Sequence, residues 1–375
     1  MRRLRFLYFM GLSLCLSFFI AAEEDVSIVK NDAVPLLGNL NLDVKEETIF
    51  DFSKLGSEYN IYYIKDIILD SDENIIVLAG NDILKFDVSG NLFHALKLKR
   101  GQGPGEIQQS ASRMYRDSMD NIYIKDGFRL VLFDKNMSFK RNIQVGMIDS
   151  LSFDDKGFFY AFKTSFSETG RNKVLTKFDK DGKSFKEITS YDLGQVSGKG
   201  GIMVVRSHVY SPATYFILNS DNHLIYAANL EYKLSKYDNE GNLLSTIIVD
   251  EKHQRISSKE KDEITEKNRK QEKGTVDFNL DFPAHRPFFK GMLGDEKGRI
   301  YLIRLKSIHD EDKNETVDIL SKDGRYLYKT KLQYMPKIIR NGSIYFVDYS
   351  NKDEYGAPIP RIKRLIIQNY KSIQF

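Results

Sequence analysis

The chain has 375 residues, of which 41% are hydrophobic and 29% are charged, so it is long enough and apolar enough to form a large globular core. Its 21 tyrosines and 25 phenylalanines favour β-strands, because aromatic side chains suit half-buried pleated surfaces. The formal net charge is +4, and removal of the three arginines of the leader described next leaves +1 (4 minus 3). That near-neutral charge argues against a nucleic-acid or anionic-membrane partner.

The first 22 residues have the pattern of a secretory signal peptide. Arg2, Arg3 and Arg5 precede an apolar stretch over residues 6–20, and two alanines follow. The apolar stretch is shorter than the roughly 20 residues that a membrane-spanning helix needs. We therefore expect a leader over residues 1–22 and an exported protein, periplasmic or extracellular, with no transmembrane segment in its mature chain.

Cys15 is the one cysteine of the sequence, and it lies inside this leader. A lipid anchor on Cys15 is disfavoured, because the preceding residue, Leu14, is larger than the residue that normally precedes a lipidated cysteine. The mature chain would then contain no thiol, and therefore no disulfide and no thiolate metal site.

Residues 23–46 are predicted to form an irregular lead-in, which contains Pro35 and Gly38. Residues 47–52 then alternate between polar and apolar side chains, which predicts a strand. From residue 47 to residue 375 we expect one domain.

A repeat dominates that domain. Each copy has a hydrophilic turn, an apolar alternating strand, and a second strand closed in most copies by Phe-Asp-x-x-Gly or a close variant. The copies cover residues 70–90, 117–134, 154–182, 219–241 and 295–324, with a degenerate last copy at 339–346. Their base spacing of roughly 40 to 50 residues matches one four-stranded propeller blade. Six repeats and the N-terminal strand predict an all-β, six-bladed β-propeller of antiparallel blades, closed by that strand.

One insertion between repeats is almost wholly charged or polar. It covers residues 257–273, and Ser257 with Glu260 forms the sequence pattern of a capping box, so we expect a short helix there. The helix could be simply a solvated surface, or it could be a lid over one end of the propeller.

The chain resembles the bacterial six-bladed β-propeller proteins related to the NHL-repeat group. The most specific element is the loop Arg100-Gly-Gln-Gly-Pro-Gly-Glu106 between the first two blades. Further matching pieces are Val29-Lys-Asn31 with Pro35-Leu36, Phe282-Pro-Ala-His-Arg-Pro287, and Arg361-Ile-Lys-Arg364. The resemblance implies an extracytoplasmic propeller, and for most members of the family it implies no known reaction.

The Arg100–Glu106 loop is the first candidate site. Its three glycines let a ligand approach the backbone, and Arg100, Gln102 and Glu106 could line an anion-binding nest. The alternative is a tight crossover between blades in which Arg100 and Glu106 pair with the backbone or with each other.

The channel mouth is the second candidate, because the innermost strands of all blades begin there. These positions include Asp66 and Arg113, and Asp149 lies beside a third. A calcium site needs six or more oxygen ligands, so two carboxylates give it little support.

His285, with Arg286 beside it, is the histidine best placed before a blade. A lyase-type site would need several histidines to converge, and a hydrogen-bonded loop side chain is the alternative role. No pair of histidines has the spacing of a zinc site.

These observations favour a monomeric binding protein with no cofactor, which takes a small polar ligand, a glycan or a protein partner at the channel mouth and loops. The alternative is a metal-assisted hydrolase or lyase of the lactonase type, with Asp66, Asp149 and His285 as site groups and Ca²⁺ or Zn²⁺ as the metal.

Overall fold

The computed structural model describes residues 26–56, 59, 61–166, 170–193, 198–199, 202–203, 207–271, 280–370 and 373. The predicted leader, residues 1–22, lies outside these ranges. Six four-stranded antiparallel blades form a β-propeller ring, which confirms the predicted fold class. None of the helices in the described ranges has the length and apolar character needed to span a membrane.

The chain enters through β1 (Ser27–Asp32), β2 (Val44–Asp51) and a 3₁₀ turn (Phe52–Lys54). Blade 1 contains β3 (Ile64–Leu69), β4 (Ile75–Ala79), β5 (Asp82–Phe86) and β6 (Leu92–Lys97). Blade 2 contains β7 (Arg113–Arg116), β8 (Ile122–Asp126), β9 (Arg129–Phe133) and β10 (Phe139–Gln144). Blade 3 contains β11 (Ile148–Phe153), β12 (Phe159–Phe166), β13 (Arg171–Phe178) and β14 (Ser184–Asp192).

A two-residue ladder of β15 (Gly198–Lys199) and β16 (Ile202–Met203) precedes blade 4. Blade 4 contains β17 (Thr214–Leu218), β18 (Leu224–Ala228), β19 (Lys233–Tyr237) and β20 (Leu243–Asp250). Helix α1 (Ser258–Gln271) follows. Blade 5 contains β21 (Phe289–Gly294), β22 (Ile300–Arg304), β23 (Glu315–Leu320) and β24 (Tyr326–Leu332). The last sheet, blade 6, combines β25 (Ile338–Arg340), β26 (Ser343–Lys352) and β27 (Pro358–Ile367) with β2.

The first strand of each blade is its innermost strand. Strand β3 contacts β7, β7 contacts β11, and the series continues through β17 and β21 to β25. Apolar side chains of neighbouring blades share their buried faces between the sheets. Blades 1 and 6 also share such a core, in which Ile75 and Phe86 meet Tyr345 and Ile362. Each blade therefore hides its apolar surface against its neighbours.

The Asp or Asn side chain at the start of each of the first five repeats stabilises a turn. Asp70 Oδ1 accepts the backbone N–H groups of Asp72 and Asn74 at 3.0 and 2.9 Å, and Glu73 between them has a left-handed φ of 65°. The same pattern recurs at the corresponding residues of the next four repeats, Asp117, Asp154, Asn219 and Asp295. These side chains satisfy the amides of tight turns, which explains their repetition without a ligand.

Residues 27–51, which we call the N-terminal strap, run along the outer edges of three blades. Strand β1 pairs in parallel with β20 of blade 4. Leu36, Leu37 and Leu40 donate backbone hydrogen bonds to carbonyls of β24 in blade 5, at 2.8–2.9 Å. Strand β2 then pairs antiparallel with β27 of the last sheet. The irregular lead-in expected over residues 23–46 is thus wrong for β1. An edge strand exposes most of its side chains, so it lacks the alternation that predicts a strand.

Helix α1 begins at the predicted capping box. Ser257 Oγ accepts the N–H of Glu260 at 3.2 Å, and Glu260 Oε2 accepts the N–H of Ser257 at 3.0 Å. The helix is not wholly solvated, because Glu260 and Ile264 are buried. Residues 272–273 of the predicted insertion lie outside the described part of the chain.

Candidate functional site

Polar side chains from several inner strands converge at the channel mouth. We call Asp66, Arg113, Tyr115, Asp149, Lys173 and Lys337 the mouth cluster. Asp66 Oδ2 accepts the backbone N–H of Met114, which lies between Arg113 and Tyr115 on β7, Lys173 Nζ lies 3.6 Å from Asp149 Oδ2, and Lys337 directly precedes the inner strand β25. The charges of Arg113 and Lys337 lower the pKa of Asp66, and those of Asp66 and Asp149 raise the pKa of Tyr115. The cluster therefore joins groups from blades 1, 2 and 3 with one that precedes the last blade.

Asp66 connects two blades. Its Oδ2 accepts the backbone N–H of Met114 on β7 at 3.0 Å, and its Oδ1 accepts that of Ile67 at 3.1 Å. Burial raises the pKa of Asp66, although these hydrogen bonds and the charge of Arg113 act in the opposite direction. The carboxylate is thus already committed to aligning β3 with β7, which leaves it little capacity as a metal ligand.

Arg113 and Tyr115 project from the same face of β7, because side chains two residues apart in a strand point the same way. Arg113 is exposed and forms no ion pair with the described part of the chain. Tyr115 Oη is buried and has no hydrogen-bond partner there. Burial raises the pKa of Tyr115, so its hydroxyl is a protonated donor at neutral pH. A buried hydroxyl without a partner costs about 1–3 kcal/mol, which a ligand oxygen could recover.

Asp149 and Lys173 form the third part of the cluster. Lys173 Nζ lies 3.6 Å from Asp149 Oδ2 and 4.8 Å from the centroid of the Phe162 ring. Burial lowers the pKa of Lys173, and the neighbouring Asp149 partly restores it. The Asp149 side chain remains 54% exposed, so it stays accessible at the mouth.

The Arg100–Glu106 loop is closed on itself. Glu106 Oε2 accepts the N–H of Gly103 at 2.7 Å, and Glu106 O accepts Arg129 Nη2 at 2.8 Å. A side-chain carboxylate therefore occupies the amide that an anion would have used. Arg100 and Gln102 are exposed, and neither joins the mouth cluster through a hydrogen bond or an ion pair in the described ranges. The geometry matches the crossover alternative better than the anion nest.

Arg286 anchors helix α1. Its Nη2 lies 2.9 Å from Glu260 Oε1, and its Nη1 donates to Gln254 Oε1 at 2.8 Å. His285 pairs through its backbone with Arg255, and its ring packs against His253 with centroids 5.0 Å apart. Both residues therefore hold the segment between blades 4 and 5.

An open pocket of about 410 Å³ lies beside this anchor, and Glu251, Arg286 and Arg304 are among its lining residues. Arg304 is already engaged: its Nη1 lies 2.9 Å from Asp318 Oδ2, and its Nη2 pairs with Glu251. The charged groups of this pocket mostly neutralise one another.

The sequence predicted that Asp66, Arg113 and Asp149 lie at the channel mouth. Tyr115, Lys173 and Lys337 were not among the predicted residues. Tyr115 could have been found from strand alternation, since it lies two residues beyond Arg113. Lys173 could not, because β13 is the third strand of its blade and reaches the mouth through a long hairpin. In the described part of the chain, no three His, Cys, Asp or Glu side chains are arranged to hold a metal ion.

The fold and the mouth cluster define the class of this protein as a six-bladed β-propeller with a polar channel mouth. Among solved structures it is similar to a member of the DUF4221 family from Bacteroides vulgatus, with 10% identity, a TM-score of 0.50, and coverage of 86% of this chain and 97% of that one.

Virginiamycin B lyase from Staphylococcus aureus also aligns, with 11% identity, a TM-score of 0.43 and coverage of 87% of this chain and 99% of its own. So does regucalcin, a calcium-binding protein from Agrobacterium tumefaciens, with 9% identity, a TM-score of 0.44 and coverage of 91% and 96%. At these identities the likeness concerns the fold alone. The chain matches no protein-family model and no curated protein. The relation to the NHL-repeat group stays a prediction.

Proposed function

We propose that this chain is an exported, monomeric binding protein that takes a small polar ligand at the channel mouth. The observation that carries the proposal is the Tyr115 hydroxyl, which is buried beside the exposed Arg113. The Tyr115 ring packs against the apolar core between blades 2 and 3, but in the described part of the chain its hydroxyl has no hydrogen-bond partner and Arg113 has no ion-pair partner. Polar groups that converge on a concavity without structural partners are typical of ligand sites.

Binding can be tested with a mixture of small polar compounds and native mass spectrometry. Compounds that the wild-type protein retains should be lost or weakened at least tenfold in Tyr115→Phe and Arg113→Gln. Arg325→Gln provides a matched control, because Arg325 is exposed on the turn between β23 and β24 and outside the mouth cluster. Retention that is equal in all variants would place the ligand elsewhere. Capture of a glycan or a protein instead would keep the site but change the ligand class.

The alternative function, a metal-assisted hydrolase or lyase, uses Asp66, Asp149 and His285. Elemental analysis of protein never exposed to a chelator separates the two functions. Stoichiometric Ca²⁺ or Zn²⁺ would favour the enzyme, whereas metal-free protein that still binds its ligand would support the binding protein.

Export rests on the leader over residues 1–22. When the full chain is expressed in a host with a secretory pathway, the intact mass of the periplasmic or medium fraction should correspond to a start at Glu23. Full-length protein that remains in the cytoplasm would contradict export.

A further inference from the structure

We propose that the ligand of the channel mouth carries an anionic group, a carboxylate or a phosphate, which Arg113 and Lys337 bind while Tyr115 donates a hydrogen bond. This inference rests on the proposed function and names the chemistry of its ligand. It depends on the distribution of charge around the mouth.

Cations outnumber carboxylates at the mouth. Arg113, Lys173 and Lys337 belong to the cluster, and Lys65 on β3 adjoins it, with its Nζ bonded to residues 110 and 111 just before β7. Against these four cations stand two carboxylates, Asp66 and Asp149. The chain as a whole carries almost balanced numbers of basic and acidic residues, 56 and 52. The excess at the mouth is therefore local.

The two carboxylates do not neutralise Arg113 or Lys337. Asp66 accepts hydrogen bonds from backbone amides, and Asp149 pairs with Lys173. In the ranges that the structure describes, the side chains of Arg113 and Lys337 have no ion-pair partner, although their charges reach Asp66. By contrast, Arg116 and Arg129, on the same blade as Arg113, each pair with an aspartate.

The surroundings of Lys65 also favour an anionic ligand. Its Nζ donates to Ser110 Oγ at 2.9 Å and to Ala111 O at 2.8 Å, both of which are neutral acceptors. Burial lowers the pKa of Lys65, and the charge of Arg100 lowers it further. An anion at the mouth would relieve this repulsion.

Tyr115 adds a directional hydrogen-bond donor to these charged side chains. Its protonated hydroxyl is a donor, and the buried position of Oη shields a hydrogen bond from competing water. A planar guanidinium, an ammonium and a hydroxyl donor together suit an oxyanion with several acceptor oxygens.

The test compares neutral molecules with their anionic counterparts by isothermal titration calorimetry. The probes are glucose, glucuronate and glucose 6-phosphate, together with glycerol, glycerate and glycerol 3-phosphate. Wild-type protein should bind at least one anionic probe and not its neutral counterpart. The carboxylate and phosphate arms show which of the two anions the site prefers.

The double variant Arg113→Gln/Lys337→Gln should raise the Kd of that probe at least tenfold, and Arg325→Gln should leave it within twofold. Both cations are exposed, so the melting temperature should stay unchanged and report that the variant folds. Raising the salt from about 20 to 200 mM should weaken binding, because exposed charges are screened.

Equal binding of a neutral probe and its anionic counterpart, with sensitivity to Tyr115→Phe, would overturn the anionic ligand and leave the proposed function standing. Anion binding that persists in the double variant would place the anion outside the mouth and overturn the inference. If none of the six probes binds wild-type protein, the anionic ligand is rejected, and the compound-mixture experiment then decides the proposed function separately.

Discussion

Glu106 demonstrates how one carboxylate can take a ligand's place inside its own loop. A β-carbon built at Gly101 would lie 2.0 Å from Glu106 Oε2, and one at Gly103 would lie 2.9 Å from the same oxygen. Gly105 has a φ of 74°, which a side chain would strain. The three glycines of the Arg100–Glu106 loop are therefore explained by the position of the Glu106 carboxylate and by one left-handed turn.

Substitution Glu106→Ala should remove the hydrogen bond to the amide of Gly103 and destabilise the protein by about 1.5–3 kcal/mol, near the lower end because Glu106 is only half-buried. Urea unfolding measures the change. Gln102→Ala, in the same loop, should stay within about 0.5 kcal/mol because Gln102 is exposed. If Glu106→Ala unfolds like wild type but binds ligand less tightly, the loop is a binding site and not a structural crossover.

At the scale of elements, helix α1 is held to the ring by one buried carboxylate. Glu260 is 3% exposed, and its Oε1 accepts hydrogen bonds from Tyr210 Oη at 2.7 Å and Ser307 Oγ at 2.6 Å, as well as from Arg286. Burial would raise the pKa of Glu260, but the hydrogen bonds from Ser307, Ser257 and Tyr210 outweigh it and lower the pKa to about 2. The same side chain thus caps the helix and docks it.

This lowered pKa gives the stability a defined pH dependence. A group whose pKa falls on folding contributes stability that is complete above its unfolded value, 4.5, and lost as the pH falls through about 2. The difference in unfolding free energy between wild type and Glu260→Gln should therefore be constant above about pH 5 and shrink between pH 4.5 and 2. Glu266→Gln, at an exposed position of the same helix where the carboxylate pairs with Lys270 of that helix, is the control. A difference that stays constant down to pH 2 would contradict the docking role.

The N-terminal strap is the second informative element, and Asn31 is its main clamp. Asn31 Nδ2 donates to Gly324 O at 2.9 Å and to Ile248 O at 3.3 Å, and Asn31 Oδ1 accepts the N–H of Tyr326 at 2.8 Å. One side chain therefore joins β1 to blades 4 and 5.

Asn31→Ala should lower the unfolding free energy by about 1–3 kcal/mol, because buried backbone groups of two blades lose their partners. Chemical denaturation measures this loss, and amide exchange at Tyr326 should accelerate. Lys30→Ala, at an exposed neighbouring position, should change neither quantity appreciably. Unchanged exchange at Tyr326 in Asn31→Ala would show that the strap does not clamp blade 5.

For the whole molecule, the ring depends on contacts between residues far apart in the chain. Val44–Asp51 of β2 pairs with β27, whose partners lie more than 300 positions later. Phe52 is buried in the core that blades 1 and 6 share. Loss of this segment would expose a sheet edge and an apolar face together.

Deletion of residues 26–52 should therefore destabilise the entire ring and lower its melting temperature markedly, as measured by calorimetry. A shorter deletion of residues 26–34 removes β1 but keeps β2, so its effect should be smaller. If the longer deletion melts like the parent protein, the last sheet does not need its N-terminal strand.

Local patterns were sufficient to infer the blades, their turns and the start of helix α1. Apolar alternation, turn-forming aspartates and the Ser257–Glu260 capping box act over a few residues, so they can be recognised in the sequence. Three features could not be recognised in the same way: the role of Arg286, the parallel pairing of β1, and the approach of Lys337 to Asp66. Each depends on residues brought together from different blades, and closing the ring creates those neighbourhoods only after every blade has folded.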